Sequence, residues 1–108
     1  ISNRQVRWRI TEESQGLPDG MCVDEEDGIW VAFWNGSVVR RFDKNFNITD
    51  EIQMPVPMPT SCAFVGPHFE SMIITTAHDG IADAKEDWGK TFICTPKIGG
   101  VAPTLFPN

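Results

Sequence analysis

Polar and apolar residues alternate along most of this chain with the two-residue period of a β-strand, not the 3.6-residue period of a helix. Residues 4–10 set the pattern: Val6, Trp8 and Ile10 alternate with Arg7 and Arg9, which predicts a strand with one exposed face. Further strands are predicted at 21–24, Ile29–Trp34, Val38–Phe42, 48–54, 61–65, 72–76 and 91–95. Asn35-Gly36 predicts a tight hairpin between two of them, because both residue types accept a positive φ. Pro55, Pro57 and Pro59 end the strand before them, since proline cannot donate to a ladder. Residues 81–88 have the composition of a single helical turn or, better, of a long polar loop. The prediction is an all-β protein.

One segment breaks the alternation. "IWVAFW", residues 29–34, is apolar at every position. A strand wet on one face should alternate, so both faces of this one must be covered. That is the situation of a β-propeller blade, which is sandwiched between its neighbours. A faint internal repeat agrees. Leu17-Pro18 recurs as Met58-Pro59, Cys22 as Cys62, and "GIWVAF" as "SMIITT". Turn pairs follow each half, Asn35-Gly36 and Asp79-Gly80. A period of about 40 to 50 residues with four strands per unit is that of a propeller. The expected division is residues 1–16 as the outer strand of a preceding blade, 17–57 as a complete blade, and 58–108 as a final blade without its outer strand.

Charge narrows the function. The chain has 108 residues and a net charge of -6. A nucleic-acid partner needs a basic stripe, and none is present. No run approaches the roughly 18 apolar residues of a membrane span, and nothing resembles a signal peptide. The first residue is Ile1, which leaves a removed leader or a longer parent protein as the two expectations. The three cysteines, Cys22, Cys62 and Cys94, cannot all pair, and none has zinc-site spacing. Each lies in a strand-like apolar segment, as small buried hydrophobes do. The expectation is a reduced, cytoplasmic protein.

"PDGMCVDEEDGIWVAFWNGSVVRRFD", residues 18–43, resembles the SMP-30/gluconolactonase/regucalcin-like family. "ISNR" upstream, then "TSCAF", "AHDG" and "GGVAP" downstream, resemble it in the same order. The resemblance covers nearly the whole chain, as the C-terminal part of such a protein. It implies a six-bladed β-propeller, which needs about 270 residues at roughly 45 per blade. It also implies a metal-dependent hydrolase of sugar lactones with a divalent cation in the central tunnel: calcium first, with zinc, magnesium or manganese as alternatives. By resemblance the cation is held by a Glu of the first blade, an Asn of a middle blade and the Asp of "PDG". Asp19 is the one of these with a counterpart here, as metal ligand and as catalytic general base. The isolated chain is then expected to be inactive. The competing expectation is a non-catalytic propeller-derived binding or assembly module with an incomplete metal site.

Each candidate has a plainer reading. An Asp between Pro and Gly is a common turn residue, so Asp19 could serve a turn alone. Asp24, Glu25, Glu26 and Asp27 resemble a cation cluster, but their place between two strands predicts a solvated loop. His68 and His78 are expected at the surface. Thr60 and Ser61 occupy the repeat positions of Asp19 and Gly20 and could face a tunnel, with no base near the serine. Trp30 and Trp34 share a strand face and are expected in the core.

The predicted blades leave broad apolar faces, which a soluble monomer rarely tolerates. The expectation is therefore either missing propeller blades or a homo-oligomer. One chain's residues 4–10 could complete the next chain's last blade, giving a swapped dimer or a ring-closing trimer.

Overall fold

The structure is a computed structural model, and it describes residues 5–78 and 88–102. Among these residues it contains seven strands and one 3-10 turn, Glu13–Gln15. The strands are β1 (Leu17–Val23), β2 (Ile29–Trp34), β3 (Val38–Phe42), β4 (Ile48–Gln53), β5 (Pro59–Val65), β6 (Ser71–Thr76) and β7 (Phe92–Cys94). They form two antiparallel meanders, a four-stranded sheet in the order β1-β2-β3-β4 and a three-stranded sheet β5-β6-β7. No helix among the described residues is long and apolar enough to cross a membrane. The turn pair Asp79-Gly80, residues 81–87 and the motif "ISNR" lie outside the described residues.

The unbroken apolar run of β2 has the predicted cause. Trp30 and Ala32 join Val39, Met54, Val56, Cys62, Met72 and Ile74 in a core between the two sheets. Val31 and Phe33 point the other way, into a second cluster with Val38 and Phe42. Strand side chains alternate faces, so a strand serving two cores must be apolar at every position.

The start of the chain departs from expectation. Residues 5–10 form no strand. No strand among the described residues offers them a ladder partner, and an unpaired segment gains nothing from extended geometry. Trp8 instead lies edge-on over Phe33 and Phe42, at 5.4 Å from each ring centroid. The ring covers Phe33 and Phe42 on the outer face of the first sheet.

The β2–β3 hairpin forms at Asn35-Gly36, and the predicted reason holds at Asn35 but not at Gly36. Asn35 and Ser37 take the positive φ values, 64° and 56°, and Gly36 does not. Glycine is needed at 36 because a Cβ there would stand 2.5 Å from the carbonyl oxygen of Gln15. The preceding segment packs directly on the turn.

Candidate functional site: the inner strands and the Asp19 bulge

β1 and β5 begin their sheets, and each has one edge without a ladder partner. Both strands slip register at their entry. On β1, Pro18 pairs with Phe33 but Met21 with Val31, so one extra residue bulges out around Asp19 and Gly20. On β5, Pro59 pairs with Thr76 but Ser61 with Thr75, which leaves Thr60 extra. The two proline-led entries of the internal repeat are thus two bulges at matching places. A bulge re-aims the side chain that it carries.

This corrects the plain reading of "PDG". Asp19 lies inside strand β1, not in a turn, and it is exposed. Gly20 beside it faces the neighbouring sheet. A Cβ on Gly20 would stand 2.1 Å from Ser61 Oγ and 2.8 Å from Ser61 Cα. Glycine is what lets the two inner strands touch. The neighbouring Thr60 shares a hydrogen bond with Thr75, their hydroxyl oxygens 2.6 Å apart.

The acidic patch also differs from expectation. Asp24 is 1% exposed, not solvated. Its Oδ1 accepts hydrogen bonds from the backbone N–H groups of Glu26 (3.0 Å) and Gly28 (2.8 Å). Its Oδ2 accepts from Trp30 Nε1 at 2.8 Å and from Arg41 Nε at 2.6 Å, and Arg41 Nη2 reaches Oδ1 at 3.2 Å. Burial alone would raise this carboxyl's pKa. The Arg41 guanidinium, the Gly28 and Glu26 N–H groups and the Trp30 indole reverse that and hold it below the usual carboxylate range. Glu25, Glu26 and Asp27 remain exposed. The same local device recurs one hairpin later, where Asp43 Oδ1 accepts from the N–H groups of Asn45 and Asn47.

The closing glycines find their place here too. Glu25 N–H donates to the Gly99 carbonyl, and Gly100 N–H donates to the Phe69 carbonyl. The segment after β7 thereby bridges the loop that follows β1 and the loop that follows β5.

The remaining candidates sort simply. His68 and His78 are exposed, as predicted. Trp30 is core, and Trp34 is half-buried. Cys62 is buried and Cys22 and Cys94 are half-buried, all three free. Asp19 is not brought together with other ligands: among the described residues no three His, Cys, Asp or Glu side chains could hold a metal ion.

Comparison with known proteins agrees with this architecture. Residues 1–78 match the family model described as SMP-30/Gluconolactonase/LRE-like region. Regucalcin of Xenopus laevis is 38% identical over 101 residues, which is 93% of this chain and 31% of that protein. The chain therefore spans about a third of the length of the curated relatives that it matches. The crystal structure of a calcium-binding protein, regucalcin, from Agrobacterium tumefaciens superposes with a TM-score of 0.79 at 28% identity, covering 84% of this chain and 32% of that one. A luciferin-regenerating enzyme superposes with a TM-score of 0.71, also at 28% identity and with the same coverage of 84% and 32%. These structural neighbours are regucalcin-like propeller proteins.

Proposed function

The chain belongs to the SMP-30/gluconolactonase/LRE-like family, and on that footing we propose that it is part of a calcium-dependent hydrolase of sugar lactones, in which Asp19 is a metal ligand and general base. The observation that carries this is the placement of Asp19. A bulge in an inner strand turns an exposed carboxylate out beside the contact between the two sheets. The family match spans that position, and the Agrobacterium relative is a calcium-binding protein.

The fit to a cation is partial. Calcium takes six to eight oxygen ligands, and a carboxylate is a suitable donor. One carboxylate does not close such a site, and the described residues add no cluster to it. Asp19 would supply one ligand of a set completed by blades from outside this chain. The cation, when bound, would polarise the lactone carbonyl. Asp19 itself would take the proton of the attacking water, a role open to a carboxylate within hydrogen-bond reach of it.

The test adds calcium to the chain and to the chain joined to the remaining blades. The joined protein should hydrolyse a sugar lactone and gain a calcium-dependent rise in melting temperature. Asp19→Ala should abolish both. A joined protein whose hydrolysis survives Asp19→Ala overturns the assignment.

A second reading starts from the single carboxylate that the described residues offer at this place: a propeller-derived binding or assembly module without turnover. It predicts no hydrolysis from the joined protein. Pro18, Met21, Ile29, Val31 and Phe46 line an apolar groove beside Trp8. We assign the preceding blades as its cover, because Trp8 is already engaged within its own chain and is not offered to a second copy. A dimer or trimer mass for the isolated chain would favour self-assembly instead.

A further inference from the structure

Two free thiols meet where the inner strands pass one another. Cys22 on β1 and Cys62 on β5 stand with their Sγ atoms 3.5 Å apart, although 40 residues separate them in the chain. The strands belong to different sheets, so no ladder joins them. The third cysteine, Cys94, lies on β7, with β6 between it and β5.

The two thiols are not equivalent. Cys62 is 5% exposed, and its Sγ lies 3.5 Å from the Trp30 carbonyl oxygen and 3.5 Å from Cys22 Sγ, so its one S–H proton can be donated to either. Cys22 is half-buried and so more open to solvent. The hydrogen bond from Cys62 lowers the pKa of Cys22 from its ordinary value, against burial and the nearby charge of Asp24. That same hydrogen bond and burial push Cys62 strongly upward. Cys22 therefore ionises first, and the thiolate is the reactive form of cysteine. A disulfide requires a sulfur separation of about 2.05 Å. Thiols already in contact need to close by about 1.5 Å, a displacement on the scale of a small side-chain rotation.

We propose that Cys22 and Cys62 are a redox modification site: hydrogen peroxide joins them in a disulfide that ties the two inner strands together, and a dithiol reductant releases it. The Cys22 thiolate attacks one peroxide oxygen. The O–O bond breaks, the sulfur becomes a sulfenic acid, and the hydroxide released takes up a proton to become water. The Cys62 sulfur then attacks the Cys22 sulfur, the S–S bond forms, and the sulfenic oxygen leaves as water with the Cys62 proton. Two thiols are oxidised by two electrons, and one peroxide is reduced to two waters. The bridge would clamp β1 to β5 two residues beyond the Gly20–Ser61 contact on β1 and one residue beyond it on β5.

The test treats the reduced full chain with a small excess of hydrogen peroxide and counts thiols. The expected result is a fall from three thiols to one per chain. Proteolysis at Arg40, Arg41 and Lys44 separates the two cysteines, so peptide mapping should recover a crosslinked pair containing Cys22 and Cys62. Dithiothreitol should restore all three thiols. Cys94→Ser should still form the bridge, with no thiol left, and Cys22→Ser should not form it. The unfolding midpoint should rise on oxidation. Retention of three thiols overturns the proposal, as does a bridge through Cys94, a crosslink between two chains, or Cys22 oxidised to sulfinic acid without a partner. Should Cys22→Ser fail to fold, the wild-type peptide map decides alone.

Discussion

Arg41 closes on Asp24 across the first sheet, with Nε 2.6 Å from Oδ2 and both side chains nearly free of solvent. The pair ties the loop after β1 to β3, over the Trp30 indole that donates to the same carboxylate. Every buried polar side-chain atom among the described residues has a partner, so the network is satisfied. Removing one partner of a buried pair strands the other charge, which costs more than the pair contributes. Arg41→Met should therefore destabilise the protein by about 3–5 kcal/mol. Chemical denaturation followed by tryptophan fluorescence measures it, and a loss below about 1 kcal/mol would show that the pair is not buried as described.

The same carboxylate sets the acid limb of stability. The folded pKa of Asp24 is depressed, by its hydrogen bonds prevailing over burial. A depressed carboxylate contributes stability above its unfolded pKa, about 3.9, and loses that contribution as pH falls through the lower folded value. Melting temperature should hold from neutral pH to about 4 and then fall. In Arg41→Met the guanidinium no longer holds the Asp24 pKa down against burial, so the fall below about pH 4 should become smaller. An unchanged acid limb in that variant would place its origin elsewhere.

Gly20 is tested by adding one methyl group. Gly20→Ala puts a carbon 2.5 Å from Ser61 Cβ and 2.8 Å from Ser61 Cα. The inner strands would have to separate, at about 1–3 kcal/mol. Ser61→Gly on top of it should recover part of that loss, since the nearest atoms go while Ser61 Cα remains. Paired thermal melts of the single and double variants measure the coupling, and additive losses would contradict the contact.

Trp8 holds residues 5–10 to the first sheet through two edge-to-face aromatic contacts. Each is worth about 0.5–1.5 kcal/mol beyond the area that it covers. Trp8→Ala should cost about 1–3 kcal/mol and free the segment to proteolysis. Cleavage at Arg7 and Arg9 should become faster than in the parent chain. Unchanged cleavage would mean that the segment is not held by this ring.

What the sequence determined by itself was most of the strands and the double burial of one of them. β2 and β3 carry their predicted limits, because Asn35-Gly36 and the surrounding runs mark both boundaries in local chemistry. The double burial of β2 was legible because period-two geometry leaves an all-apolar strand no other place.

Tertiary structure decided which acidic residue is buried, how Asp19 is presented and which cysteines meet. Asp24 sits in a run of four acids that looks uniformly wet, and only the distant Arg41 and Trp30 single it out. The Asp19 bulge is a register slip between two strands, which no single strand encodes. The Cys22–Cys62 contact spans 40 residues and arises because the repeat stacks one inner strand on the next. Local periodicity is a property of neighbours in sequence, whereas burial, bulges and thiol contacts depend on what the rest of the chain brings alongside.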